Sequence, residues 1–159
     1  MIARQFTYEV RPARGDYLEA VEALLREERL PIDGVEAQFA NFLVAEATYS
    51  PRVAAAPIGA IGLEHYDSSA LVRSAVVDPA WRGRGVGHAL VDAAADAARV
   101  HGASALYLLT TTAEAFFSSL GFWTITRDDV PGAVKQSVEF ASACPASATV
   151  MMRRIAGAT

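Results

Sequence analysis

The chain has one cysteine, Cys144, in 159 residues. No disulfide can form within it, and a reducing cytoplasm suits it. Capture of a soft metalloid such as arsenite by several thiolates is excluded too. The three histidines, His65, His88 and His101, match no recognised ligand spacing, so metal catalysis has no support. No apolar run is long enough to span a bilayer, and the N-terminal residues lack a signal-peptide pattern. Positive charge is not in surplus. The net charge of −4 gives a nucleic-acid partner no bulk electrostatic support. Internal repeats and low-complexity linkers are absent. What remains is 52% hydrophobic and 20% charged residues, the composition of one globular domain with a sizeable core. That domain is expected over residues 1–155, with 156–159 as a frayed tail.

The stretch from Leu71 to His101 is the most informative. Residues 71–77, Leu-Val-Arg-Ser-Ala-Val-Val, are short, β-branched and apolar, the pattern of a strand. Asp78-Pro79 stops it, because proline has no amide hydrogen and fixes its own φ. Arg82-Gly83-Arg84-Gly85-Val86-Gly87 follows, then an alanine-rich helix. Three glycines leave the backbone unshielded, so several N–H groups can face one anion. The helix aims the positive end of its dipole at the same point. Arg82 and Arg84 add cationic forks suited to phosphate oxygens. The pattern predicts a diphosphate seat. It is not a P-loop, since no Gly-Lys-Ser/Thr end is present. Nor does it meet the Gly-x-Gly-x-x-Gly fingerprint of dinucleotide folds.

Elsewhere the pattern predicts a mixed α/β chain. A strand opens at Phe6–Val10. Asp16, with Glu19 three residues on, predicts a capping box for a helix that ends near Arg29. Asp33 and Glu36 repeat that pattern ahead of a short second helix through Phe39. Strands follow at Phe42–Ala47 and Ile58–Tyr66, after a loop over 48–57, and form an antiparallel meander with the strand at 71–77. Glu64 and Tyr66 share one strand face, while Arg73 and Ser74 point oppositely. Glu64 with Arg73 reads either as a cross-strand ion pair or as the floor of an acceptor site. In the helix after the glycine loop, Leu90, Ala94, Ala97 and Ala98 face the sheet, and Gly102 ends it. His101 reads as a capping or surface histidine. Ala105–Leu109 is a further strand, parallel to 71–77 through a β-α-β crossover. Thr112 is a candidate N-cap for a helix over 113–120. Strands at Phe122–Thr126 and Thr149–Ile155 close the chain. Between them a short helix opens at Pro131-Gly132, with Val134, Val138 and Ala141 on its buried stripe. Cys144 reads as a packing residue, with no nearby histidine to activate it.

Arg82-x-x-Gly85-x-Gly87 after Val77-x-Pro79 resembles the acetyl-CoA loop of the GNAT superfamily of N-acetyltransferases. The run from Leu108 to Phe117, Leu120-Gly121-Phe122, Glu139-Phe140 and Cys144 to Ala148 resemble the arsenic-resistance N-acetyltransferase branch. Gly62-Leu63-Glu64 and Arg73-Ser74 also fit that branch. The resemblance implies a GNAT fold, with a mixed central sheet of about seven strands, flanking helices and a splay between the fourth and fifth strands. In that fold the first two helices lie over the acceptor pocket. It implies acetyl-CoA as cosubstrate and no metal, and a small-molecule amine as acceptor. An amino acid or an arsenic-containing amino acid analogue fits that class. No nucleic acid or membrane is expected, and a homodimer is left open.

The expected geometry assigns roles. The loop from Arg82 to His88 holds the diphosphate, Phe116 and Phe117 read either as core packing alone or as core and cofactor-tunnel packing, and a backbone N–H near Val76 or Val77 polarises the thioester oxygen. Glu64 is the first candidate for the base that takes the amine's proton. Arg73 and Ser74 are candidates for holding an anionic group of the acceptor. One departure stands out. Many GNATs carry a tyrosine at the position Phe117 occupies, where it protonates the departing thiolate. Here Thr110, Thr111, Tyr107 or water takes that role, or the thiolate leaves as the anion, since a thiol pKa of about 8.5 makes that step accessible. The same departure keeps open a second reading, a non-catalytic acetyl-CoA sensor.

Overall fold

A computed structural model describes residues 7–48 and 56–155 of the chain. The start of the opening strand at Phe6, most of the loop after Thr48 and the C-terminal tail lie outside the described residues. In chain order the strands are β1 (Tyr8–Pro12), β2 (Phe42–Ala47), β3 (Pro57–Tyr66), β4 (Ser69–Val77), β5 (Ala105–Thr110), β6 (Trp123–Ile125) and β7 (Thr149–Arg154). The helices are α1 (Leu18–Glu27), α2 (Val35–Gln38), α3 (Val86–Val100), α4 (Glu114–Ser119) and α5 (Gly132–Lys135).

The strands form one sheet in the order β1-β2-β3-β4-β5-β7-β6. β1, β2 and β3 are antiparallel neighbours, Tyr8 opposite Ala47 and Phe42 opposite Gly62. A two-residue turn, Asp67-Ser68, joins β3 to β4, a connection short enough only for an antiparallel hairpin. β4 and β5 are parallel, as the crossover requires, and pair from Ser69↔Ala105 to Leu71↔Tyr107. The whole of β5 is laddered on its other side to β7, antiparallel, from Ala105↔Arg154 to Thr110↔Thr149. The expected mixed α/β sheet of seven strands is therefore present.

The chain divides into two compact units. The first comprises Met1–Gly62 and Ser74–Ala93. Its core joins Val21 and Leu25 of α1 to Val35, Phe39, Phe42, Val44, Ala60 and Val76. Gly59 lets α3 approach β3 closely. A Cβ there would lie 3.0 Å from the Val76 carbonyl oxygen, with Leu90 and Val86 methyls at 3.2 and 3.3 Å. Backbone cannot yield as a side-chain tip can, so Gly59→Val overpacks the contact and is expected to cost about 1–3 kcal/mol in urea denaturation. The second unit comprises Leu63–Arg73 and Ala94–Thr159. Leu71, Tyr107, Val130, Val134, Phe140 and Val150 form its core.

Several local expectations are corrected. Asp16 does not cap α1. A 3-10 turn (Gly15–Tyr17) precedes the helix, and Arg14 engages the Asp16 carboxylate at 3.0 and 3.2 Å. α2 starts from Gly34 at φ 76 with no side-chain cap. On α3, Val91 and Ala95 are buried beside Leu90, Ala94 and Ala98, while Ala97 is only half-buried. Thr112 is not the cap of α4. That helix has no side-chain cap, and Thr110 Oγ1 accepts from the N–H of Ala113, the residue before it, at 3.0 Å. The buried stripe through Val138 and Ala141 is also wrong. Ser137 Oγ accepts from the Phe140 N–H and a π-type turn covers Glu139–Ala143, so Val138 and Ala141 face outward and Glu139 and Phe140 face inward.

Candidate functional site

The glycine loop lies in the first unit, and the residues before it hold it in place. The Asp78 N–H donates to the Ile58 carbonyl of β3 at 2.8 Å, anchoring the end of β4. Asp78 Oδ1 accepts from the Ala80 N–H at 2.9 Å and caps a 3-10 turn, Pro79–Trp81. Trp81 is buried. The chain then runs exposed through Arg82, Gly83, Arg84 and Gly85. Gly83 and Gly85 have φ of 76 and 83, a left-handed backbone that costs an L-residue about 1–2 kcal/mol. The Gly85 carbonyl accepts from the Ala89 N–H at 3.0 Å, the first bond of α3. The N–H groups of Val86, Gly87 and His88 thus fall in the first helical turn, where no intrahelical carbonyl can reach them.

A diphosphate fits this geometry. A Cβ on Gly83 would meet nothing within 4 Å, so the face beside the loop is open. The helix behind it runs for 15 residues, long enough for a full dipole. Arg82 is paired with Glu28 at the end of α1, 2.6 Å away and partly exposed. Such a surface pair contributes little to stability. His88 faces Asp92 at 3.4 Å on the exposed side of α3. Val76 is buried in the first core and Val77 is half-buried.

The second unit holds a buried polar chain. Arg73 Nη1 donates to Glu64 Oε2 at 2.9 Å, and Arg73 Nη2 lies 3.1 Å from Glu139 Oε1. The Tyr66 hydroxyl donates to Glu64 Oε1 at 2.5 Å. The Cys144 thiol donates to Glu139 Oε2 at 2.5 Å. Arg73, Glu64 and Glu139 side chains are 1%, 6% and 8% exposed. One guanidinium therefore serves two desolvated carboxylates. Burial, reinforced by the bond to Glu139, pushes the Cys144 thiol up to about 12. It stays protonated at neutral pH and is no nucleophile in this setting. Burial and then Glu64 raise the Tyr66 phenol likewise. The cross-strand reading of Glu64 with Arg73 is thus realised, whereas Glu139 was not anticipated as a partner. Ser74, next along β4, has φ 55, a left-handed backbone rare for a non-glycine residue, and regular strand alternation breaks there.

The remaining candidates lie on β5 and α4 or between them. Thr110 is half-buried at the end of β5, and its Oγ1 accepts from the Ala113 N–H just ahead of α4. Thr111 is exposed. Phe117 is buried edge-on against Phe122, ring centroids 5.5 Å apart, while Phe116 is 40% exposed. His101 bonds the Ala97 carbonyl through Nδ1 and stacks on His65 at 3.8 Å. Among the described residues, no group of three or more His, Cys, Asp or Glu side chains could hold a metal ion. No helix there is long and apolar enough to cross a membrane.

The sequence family defined by the acetyltransferase (GNAT) domain matches residues 38–124, more than half of the chain and all of the glycine loop. The chain belongs to the GNAT acetyltransferases. Its fold is shared with GNAT structures of low identity. N-acetylglutamate synthase from Neisseria gonorrhoeae, complexed with coenzyme A and N-acetyl-glutamate, superposes with a TM-score of 0.79 at 20% identity. That match covers 97% of this chain and 36% of the synthase, so this GNAT chain spans about a third of that protein's length. Rv2747 from Mycobacterium tuberculosis, in complex with CoA and NLQ, gives 0.76 at 22% identity over 93% of this chain and 99% of that one. A GNAT-family acetyltransferase from Staphylococcus aureus Mu50 gives 0.71 at 19%, with 93% and 99% covered. No curated protein matches the chain in sequence.

Proposed function

We propose that the chain is an acetyl-CoA-dependent N-acetyltransferase acting on the amine of a small molecule. The observation that carries this is the glycine loop, with Gly83 and Gly85 left-handed and open to solvent at the head of α3, in a chain of the GNAT family. Acetyl-CoA, when bound, supplies an acetyl group already activated as a thioester. Arg82, Arg84 and the N–H groups from Gly83 to His88 hold its diphosphate. Phe116 and Phe117 pack along its pantetheine arm. A backbone N–H near Val76 or Val77 polarises the carbonyl to be attacked. Thr110 or Thr111 supplies a hydroxyl proton in place of the phenol that Phe117 lacks.

Glu64 takes the proton of the attacking amine, directly or through water. Each carboxylate oxygen has a second lone pair beyond its bond to Tyr66 or Arg73, so the existing bonds leave room for this. Glu64→Gln is expected to lower kcat by about 100-fold and to leave the calorimetric affinity for coenzyme A within twofold. An unchanged kcat removes Glu64 as the base. Arg73 and Ser74 hold an anionic group of the acceptor, and such a group would compete with Glu139 for the guanidinium. The acceptor class is an amino acid or a close analogue, including arsenic-containing analogues, a reading supported by the sequence resemblance over residues 106–153.

The test is release of free coenzyme A thiol from acetyl-CoA against a panel of amines, with mass detection of the acetylated product. Phe117, buried against Phe122, favours one alternative, a sensor that binds acetyl-CoA without turnover. Tight binding with no product from any amine selects it.

A further inference from the structure

The glycine loop has a neighbour that the sequence motif does not contain. Tyr8 lies on β1, far from the loop in sequence, opposite Ala47 of β2. Its ring meets Trp81 edge-on, with centroids 6.4 Å apart and planes at 89°. Trp81 is buried and ends the 3-10 turn that feeds the loop. That contact fixes the phenol ring, and the direction of its hydroxyl follows. The Tyr8 hydroxyl stands 3.8 Å from the point where a Cβ on Gly85 would lie. It therefore faces the left-handed glycine at the head of α3. Among the described residues no hydrogen-bond partner for this hydroxyl is found.

A half-buried phenol that packs on Trp81, with no acceptor among the described residues and its polar tip at the mouth of an anion seat, is suited to donate to that anion. A tyrosine hydroxyl is a good donor to a phosphate oxygen, and the bond is charge-assisted. Little entropy is lost, because the ring is already packed on Trp81. The geometry points to Tyr8 as a further ligand-binding residue, donating its O–H to a phosphate oxygen of the diphosphate held by the loop. The assignment rests on the proposed coenzyme reading of the loop. It adds a side-chain donor from the first strand to a seat otherwise made of backbone N–H groups and arginines.

The experiment is calorimetric titration of coenzyme A into the wild type, Tyr8→Phe and Gly85→Glu, with thermal melts of each protein alone. Phenylalanine keeps the ring on Trp81 and removes only the hydroxyl. A hydrogen bond to a charged group corresponds to about tenfold in affinity. Tyr8→Phe is therefore expected to bind coenzyme A about tenfold more weakly with an unchanged melting temperature. Wild-type affinity in Tyr8→Phe, with binding lost in Gly85→Glu, overturns the assignment of Tyr8 and leaves the loop reading intact. Wild-type affinity in Gly85→Glu overturns both.

Discussion

Gly85→Glu is expected to abolish coenzyme A binding, with Kd raised by at least about 100-fold, near 3 kcal/mol. Two effects combine. Gly85 has φ 83, so any L-residue there strains the turn by about 1–2 kcal/mol. The carboxylate would also stand at the positive end of α3, on the face where the diphosphate is to be held, repelling it and competing for the same N–H groups. Gly85→Ala separates the two. Its Cβ meets only the Tyr8 hydroxyl, at an ordinary 3.8 Å, so the strain remains without the charge. Its loss is expected to be about tenfold. Either variant should lower the melting temperature by no more than a few degrees, because the loop is exposed and buries little.

The largest effect on stability is expected at Arg73. Its side chain is 1% exposed and bridges two carboxylates, Glu64 and Glu139, that are nearly as buried. Arg73→Met keeps most of the volume and removes the charge. Two carboxylates are then left without their shared cation in a dry interior. Breaking a buried pair in this way costs about 3–5 kcal/mol, to be read in urea denaturation at neutral pH. A loss of less than about 1 kcal/mol would mean that the carboxylates relax to water. Arg73→Lys should fall between the two, since an ammonium cannot reproduce the fork that reaches both partners.

The strand–loop–helix unit was legible because each of its signals is local. A proline stop, glycines at two left-handed positions and a run of alanines all act within a few residues. Strand alternation likewise placed Glu64 and Tyr66 on one face, where they are hydrogen-bonded at 2.5 Å. The helix caps were not legible. Asp16 had the right spacing, but Arg14 two residues earlier takes its carboxylate. Neither Thr110 nor Thr112 caps α4; Thr110 Oγ1 instead accepts from the N–H of Ala113, one residue before the helix begins. Glu139 was out of reach for a different reason. Its contact with Arg73 spans 66 positions and depends on a π-type turn that rotates Glu139 inward and Val138 outward. Helical periodicity of 3.6 residues assigns those two the reverse orientation. Tyr8 carried no motif at all, and its place beside Gly85 comes from how β1 and the loop pack.

The claim beneath all of this is that the amides from Gly83 to His88 grip the diphosphate of coenzyme A. A backbone amide NMR titration with coenzyme A tests it residue by residue. The expected result is that the largest shifts, saturating together, fall on Gly83, Gly85, Val86 and Gly87 and are absent in Gly85→Glu. Saturable shifts confined to other segments, with these four amides unmoved, would contradict it.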